Sequence, residues 1–229
     1  MTGWLSVDPM SDKYPGISSY AYCDWNPIKY VDLDGEEKLI FFNTQMPVYS
    51  SYRGEGVFGQ YMKAIGQYVS NVNLKNSANR YKDHSDVIHL FAHGNSTSIN
   101  LAEKGRKHAE GLEFFLLNNS EVYREGLNKG EVSLLIMHSC KTGSGRNSIA
   151  QQLSKNTEGN LLVIAPSENV IMGKDENVKN DGIWNVFYKG ELVGSYKGTT
   201  DFRKELEGKN AQTIIKRWTE KYKREHAND

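Results

Sequence analysis

The chain has 229 residues, enough for one domain with a buried core and a short additional segment. Hydrophobic residues make up 38% of the chain and charged residues 24%, which is typical of a soluble globular protein. The 28 Lys and Arg residues balance the 28 Asp and Glu residues, so the net charge favours neither a nucleic-acid partner nor an anionic membrane surface.

Cysteine content and hydropathy narrow the class further. With only two cysteines, Cys23 and Cys140, the chain has no disulfide scaffold and no CxxC pair typical of structural zinc. No apolar run approaches the roughly 20 residues that span a bilayer, so we expect no membrane insertion. Residues 1–4 lack the basic-then-apolar pattern of a signal peptide, so we expect any export to depend on an upstream segment or on partner machinery.

Residues 3–35 carry the first pattern along the chain. Three of the five prolines lie here, among aromatic residues and Asp, Asn and Gly turn formers, and no helical period is visible. This composition indicates turns and short strands. An ordinary loop rich in Pro and Asp is one interpretation.

The spacing of these residues gives a second interpretation. The segment resembles the end of the RHS/YD-repeat core family at Asp8-Pro9, Tyr14-Pro15, Tyr20-Ala21-Tyr22, Asn26-Pro27 and Asp32-Leu33-Asp34-Gly35. In that family the segment joins a large β-shell to a variable C-terminal toxin. The resemblance implies that residues 1–36 end an RHS-associated core and that residues 37–229 form an effector domain. It also implies secretion, or delivery into a target cell, as part of a larger parent protein, with the RHS shell of that parent and an immunity protein as partners.

After Gly35 the pattern changes to apolar strands that alternate with helices. We predict strands at 38–43, 87–92, 132–137 and 161–165, a hairpin at 184–189 and 191–197, and helices at 57–72, 108–127, 144–155 and 213–226. In the helix at 108–127 the expected core residues are Leu112, Phe115, Leu116 and Leu117. Unbroken apolar strands between helices predict an α/β domain with a mostly parallel sheet, covered on both faces in a three-layer arrangement.

Two of the predicted strands end in reactive side chains. His93-Gly94 follows the strand at 87–92, and Cys140 follows the strand at 132–137. Functional residues of open α/β sheets lie at the carboxyl ends of strands, so neighbouring strands would place His93 and Cys140 side by side. A thiol is a good nucleophile for acyl transfer, and an imidazole can deprotonate it and then protonate the leaving amine. We therefore predict a His93–Cys140 catalytic dyad, with the amides of Gly94 and Cys140 as the oxyanion hole.

These motifs resemble the caspase-like cysteine peptidases, a group that includes caspases and gingipain-type and clostripain-type enzymes. An apolar strand followed by His-Gly and a later one followed by Ser-Cys are similar to that group, and His93 precedes Cys140 by 47 residues, close to the roughly 50 of caspases. The order of strands and helices over residues 38–166 is similar as well. The resemblance implies a caspase-like cysteine endopeptidase that acts on protein substrates. The caspase signature Gln-Ala-Cys-Arg-Gly is absent, so aspartate specificity is not implied.

Two alternatives stay open. In the first, the domain is a serine-type α/β hydrolase with Ser139 in a nucleophile elbow; Met137 and Lys141 stand where the elbow requires small residues, and the only later histidine lies in a charged tail. In the second, the domain is a catalytically inactive, peptidase-like binding module. His138 and His89 lie inside strands, and we expect both to be structural.

The candidate for a substrate pocket is Glu168, which follows the strand at 161–165. Caspase-like relatives that cut after Arg or Lys carry an acidic residue in this pocket, where it pairs with the substrate cation. A solvated loop charge is the alternative interpretation. No residue pattern suggests a cofactor, a transition metal or a calcium loop, so we expect none.

Overall fold

The structure, a computed structural model, describes residues 38–48, 57–82, 84, 86–172, 177–207 and 209–227. Its strands are β1 (Lys38–Phe41), β2 (Val87–Gly94), β3 (Ile99–Asn100), β4 (Arg106–Lys107), β5 (Ser133–His138), β6 (Leu161–Pro166), β7 (Val170–Met172), β8 (Val178–Asn180), β9 (Ile183–Tyr188) and β10 (Glu191–Lys197). Its α-helices are α1 (Val57–Arg80), α2 (Ala109–Asn119), α3 (Glu121–Lys129), α4 (Ile149–Asn156), α5 (Phe202–Glu205) and α6 (Ala211–Glu225).

The main sheet of this α/β fold is mixed. Seven strands follow the order β10-β9-β6-β5-β2-β3-β4, and β1 is an eighth strand paired with β2. Strands β1, β2, β5 and β6 are parallel, whereas β9 runs antiparallel to β6, and β10 runs antiparallel to β9 at the edge of the sheet. Strands β3 and β4 form a short antiparallel ribbon on the last two residues of β2, and β7 and β8 form a separate hairpin.

The sheet is therefore less parallel than the sequence predicts. The three strands that lead to the predicted site residues, β2, β5 and β6, are parallel, as expected. The predicted C-terminal hairpin is confirmed, and it extends the sheet because β9 pairs with β6. Antiparallel neighbours need only a tight turn, so a hairpin of this length can extend a parallel sheet without a crossover helix.

Helices cover both faces of the sheet. In β2, Val87 and Phe91 face one core while Ile88 and Leu90 face the other, which follows from the alternation of side chains along a strand. The first core contains residues of α1, α5 and α6, and the second contains residues of α2, α3 and α4. Both faces are buried, so the central strands are largely apolar and are readily predicted, with His89 of β2 and Ser133 and His138 of β5 as buried polar exceptions.

The predicted helix at 108–127 is two helices. Ser120 separates them, because its extended backbone leaves the first helix and its side chain caps α3 by accepting a hydrogen bond from the Tyr123 amide at 3.0 Å. Leu112, Phe115 and Leu116 are buried as predicted. Leu117 is 36% exposed, so its assignment to the core is wrong.

The helix predicted at 144–155 begins later, at Ile149. Gly145 (φ 74°) and Asn147 (φ 58°) adopt left-handed backbone conformations that a helix cannot contain. Ser148 is the N-cap and accepts a hydrogen bond from the Gln151 amide at 3.3 Å. The residues between Cys140 and α4 therefore form a loop.

The RHS-like segment at residues 1–36, its boundary with residues 37–229 and Cys23 lie outside the described residues. The assignment of that segment stays a prediction.

Candidate functional site

The ends of β2 and β5 bring the two reactive residues to the same edge of the sheet. Phe91 of β2 pairs with His138 of β5 in parallel register. His93 and Cys140 each lie two residues beyond this pair, His93 near the end of β2 and Cys140 in the turn that follows β5, so both lie at the carboxyl edge of the sheet. The two strands are neighbours, as a side-by-side placement of His93 and Cys140 requires, and the catalytic dyad itself stays a prediction.

His93 is half-buried, and α1 and the residue after β1 hold its ring. Its Nε2 atom lies 2.8 Å from Oδ1 of Asn71, and its ring meets the ring of Phe42 edge-on, with 5.3 Å between centroids and 77° between planes. Burial lowers the pKa of His93 below its ordinary value. The imidazole is therefore neutral near pH 7 and able to accept a proton.

Cys140 is a half-buried free thiol that contacts β7. The backbone amide of Val170 donates to its Sγ atom at 3.4 Å, and the Val170 carbonyl oxygen lies 4.0 Å from the same sulfur. Val170 packs against the first core, as does Phe42 beside His93, so the thiol and the imidazole lie on the same face of the sheet. No direct hydrogen bond joins them in this part of the structure, and hydrogen bonds of this kind are often long before a substrate binds.

The loop that follows β5 is held by bonds to several elements. Lys141 adopts a left-handed conformation (φ 58°) directly after the cysteine, and its amide donates to the Glu168 carbonyl at 2.9 Å. The Gly143 amide donates to the Pro166 carbonyl at 2.9 Å, and the Asn185 side chain donates to the Gly143 carbonyl at 2.9 Å. A non-glycine residue in the left-handed region costs about 1–2 kcal/mol, so these bonds offset local strain beside the thiol.

Gly94 lies directly against this loop. A Cβ atom at position 94 would be 2.8 Å from Cγ2 of Thr142 and 3.2 Å from Cβ of Ser139. The close approach of β2 to the cysteine loop therefore requires glycine. The same closeness brings the backbone of Gly94 beside that of Cys140, whose carbonyl oxygen would be 3.5 Å from the added atom.

Glu168 lies on the surface next to the cysteine loop. Its carboxylate is 3.6 Å from Nζ of Lys141, and both side chains are about half exposed (49% and 47%). An exposed pair of this kind contributes little to stability, but the lysine offsets the charge that the carboxylate could offer to a substrate cation.

The other two histidines near the site form a pair in the core. Nδ1 of His89 and Nε2 of His138 lie 2.9 Å apart, and the His138 ring stacks on Phe91 with 4.3 Å between centroids. Burial lowers the pKa of His138 to about 3, and burial together with the neighbouring His138 lowers that of His89 well below its ordinary value. The expected structural role fits this arrangement, since both rings are neutral and enclosed.

Ser139, the nucleophile of the serine alternative, is buried. It is 1% exposed, and its hydroxyl oxygen has no hydrogen-bond partner. A serine nucleophile needs a base within hydrogen-bond reach, and Ser139 lacks one. Among the residues that the structure describes, no three His, Cys, Asp or Glu side chains cluster as a metal site, and no helix combines the length and apolarity needed to cross a bilayer.

The fold and its neighbouring strand ends define an α/β protein with a mixed sheet and a histidine and a cysteine at its carboxyl edge. A family model described as "Domain of unknown function (DUF8616)" matches residues 64–182, more than half of the chain. The chain belongs to this family. No curated protein and no solved structure matches it. The matched residues include His93, Gly94, Cys140 and Glu168.

Two contacts at the site are absent from the sequence prediction. Asn71 lies in α1, 22 residues before His93, and Val170 lies in β7, 30 residues after Cys140. Nothing in the sequence distinguishes Asn71 from the other polar residues of α1, and only the structure shows that it is buried, with 5% exposure. Val170 acts through its backbone, so no side-chain pattern could identify it.

Proposed function

We propose that residues 37–229 form a three-layer, caspase-like cysteine endopeptidase, with Cys140 as the nucleophile and His93 as the general base and acid. The positions of His93 and Cys140, each two residues beyond the paired Phe91 and His138 of two adjacent parallel strands, support this proposal most directly. The lowered pKa of His93 supports it as well, because a base must be unprotonated at the working pH.

The reaction follows from the two side chains. The imidazole takes the proton of the Cys140 thiol while Sγ forms a bond to the carbonyl carbon of the scissile peptide. The carbon–nitrogen bond then breaks as the leaving amine takes that proton from His93, which leaves a thioester on Cys140. Water, deprotonated by His93, attacks the thioester, and the carboxylic acid product leaves as the thiol is restored.

The tetrahedral intermediate carries a negative charge on the former carbonyl oxygen. The amides of Gly94 and Cys140 are the proposed donors to this oxygen. Their support is the close approach of Gly94 to the cysteine loop, which brings the two backbones together without a side chain between them. Glu168 is the proposed substrate-pocket acid, and a substrate cation would compete with Lys141 for its carboxylate.

The N-terminal segment is the basis for the proposed biological role. Residues 1–36 resemble the end of an RHS core, which supports an effector that is secreted or delivered as part of a larger parent protein. The substrate is then a protein of the target cell, and an immunity protein protects the producing cell. The buried, unpartnered hydroxyl of Ser139 argues against the serine hydrolase.

The test compares four forms of the full chain expressed in bacterial cells: the wild type, Cys140→Ala, His93→Ala and Cys23→Ala. Mass-spectrometric mapping of protein N-termini in the cells reports which new ends appear. We expect new ends with the wild type and with Cys23→Ala, which loses the other cysteine, and none with the two site variants. The residues that precede the new ends also give the cleavage preference.

Full activity in Cys140→Ala would overturn the cysteine-peptidase proposal. New ends in none of the four forms, despite soluble and folded protein, would favour the inactive binding module.

A further inference from the structure

Asn71 is a buried amide that makes three hydrogen bonds at the edge of the site. Its Nδ2 atom donates to the carbonyl oxygen of Asn43 at 2.7 Å, and its Oδ1 atom accepts from Nε2 of Gln67 at 2.9 Å. The third bond joins Oδ1 to Nε2 of His93 at 2.8 Å. A side chain with 5% exposure and this many partners has one fixed orientation.

The Asn43 carbonyl determines which end of the amide faces the histidine. A carbonyl oxygen only accepts hydrogen bonds, so the atom of Asn71 that lies 2.7 Å from it must be the NH2 group. The oxygen of Asn71 therefore faces His93. An amide oxygen also only accepts, so Nε2 of His93 carries the proton and donates it.

This bond fixes the tautomer of the imidazole. A neutral imidazole has one N–H and one lone pair, and with the proton on Nε2 the lone pair is on Nδ1. The edge-on contact with Phe42 also restricts rotation of the ring. Both contacts come from outside β2, so α1 and the residue after β1 set the direction of the basic nitrogen.

We propose that Asn71 is a positioning residue for His93: it holds the proton on Nε2 and leaves Nδ1 as the atom that takes the proton from the Cys140 thiol. This inference rests on the proposed function and assigns the reacting nitrogen within it. During the reaction the ring becomes an imidazolium, and the dipole of the Asn71 carbonyl stabilises its Nε2–H without adding a full charge.

The first measurement does not depend on catalysis. Long-range ¹H–¹⁵N NMR spectra of the uniformly labelled wild-type chain at neutral pH distinguish the Nε2–H from the Nδ1–H tautomer, and the His93→Gln spectrum identifies the His93 signals by their loss. We expect the Nε2–H form in the wild type. An Nδ1–H form would overturn the proposal without any change at Asn71, so the outcome is clear even if an Asn71 variant does not fold.

The second measurement uses Asn71→Asp and Asn71→Ala. A carboxylate beside Nε2 favours the imidazolium, so Asn71→Asp should move the acidic limb of the kcat/KM profile upward by about one pH unit or more. Asn71→Ala should lower kcat by about 100-fold with little change in KM, and its NMR spectrum should show a mixture of tautomers. The matched control is Asn76→Asp, which adds the same charge at an exposed position of the same helix and should move neither quantity.

A purely structural role for Asn71 predicts a different result. It would lower thermal stability in both variants while the pH profile and the His93 tautomer stayed as in the wild type, and that outcome would overturn the proposal. A lack of peptidase activity in the wild type, with the Nε2–H tautomer intact, would instead count against the proposed function and leave the assignment of the tautomer standing.

Discussion

Two sets of histidines lie on the same face of β2 and β5 but at different depths. His89 and His138 face each other in the core, where both are at most 4% exposed, while His93 lies at the carboxyl end of β2 and is half-buried. The inner pair is bonded only within itself, whereas His93 is bonded to an amide of α1. Depth along the strand therefore separates a structural histidine from one with access to the proposed site.

The surroundings of each ring explain the difference. The inner pair shares one hydrogen bond, and the remaining nitrogens, Nε2 of His89 and Nδ1 of His138, are buried without partners. A proton on either ring would place a charge in the core, and such a charge costs several kcal/mol. At the edge, the Asn71 oxygen supports a proton on His93. We therefore expect substitutions of His89 or His138 to lower the free energy of unfolding, and substitutions of His93 or Asn71 to alter the proposed reaction.

The largest expected effect on stability is that of His138→Ala. It removes a ring that stacks on Phe91, leaves a cavity and takes away the partner of His89, so the free energy of unfolding should fall by about 3 kcal/mol. Urea denaturation measures this change. The matched control is the exposed His108, where substitution by Ala should cost less than about 1 kcal/mol. Equal losses in the two variants would contradict the comparison.

The inner pair also predicts the pH dependence of stability. The folded-state pKa of His138, about 3, is below the unfolded value of about 6.5. The stability associated with its neutral form is therefore fully present above pH 6.5 and is lost as the pH falls towards 3. Within that range, each buried neutral histidine lowers the free energy of unfolding by about 1.4 kcal/mol for every unit by which the pH falls. Urea midpoints from pH 7 to pH 4 should fall less steeply in His138→Ala than in the wild type; parallel curves would refute a buried neutral His138.

Of these changes, Gly94→Ala should have the smallest effect on stability. Gly94 lies against the cysteine loop, so the change should also affect the proposed site. The added methyl group would press on Thr142 and Ser139, so unfolding should become easier by about 1–2 kcal/mol and the cysteine loop should shift. Gly66→Ala is the control, because nothing lies within 4 Å of its added atom and alanine favours the helix. Gly94→Ala should lower both the melting temperature and the peptidase activity, whereas Gly66→Ala should lower neither. An unchanged melting temperature for Gly94→Ala would contradict this prediction, because it would mean that the cysteine loop moves without a loss of stability.

The sequence predicts the parts of this fold that depend on local pattern. The central strands are largely apolar, and His93 and Cys140 follow the predicted strands at 87–92 and 132–137, so their location at one edge could be expected. The face of α1 that is buried could not be predicted. Met62 and Val69 belong to the predicted apolar face, yet they are 50% and 49% exposed, while Asn71 is buried. A helical period indicates a helix, but tertiary packing decides which face it buries.

The remaining site contacts depend on distant parts of the chain. Asn71 reaches His93 from the helix before β2, and Val170 reaches the thiol from a three-residue strand that has no pattern of its own. The start of α4 was misplaced because the left-handed residues at 145 and 147 precede a serine cap, and a run of small and polar residues is compatible with either structure. Long-range contacts and loop conformations are the features that one sequence leaves undetermined.

The hairpin β9–β10 determines where the C-terminal boundary of this domain can lie. The family match ends at residue 182, just before β9, yet β9 covers the side of β6, and Trp184 of β9 is completely buried in the first core. In a chain that stopped at 182, the edge of β6, an entirely apolar strand, would lose its β9 partner from Val163 to Pro166. Open, apolar edge strands pair with one another between molecules and lead to aggregation. We therefore expect a piece that does not aggregate to extend beyond the family boundary, through the hairpin and the helix α6 that packs on it.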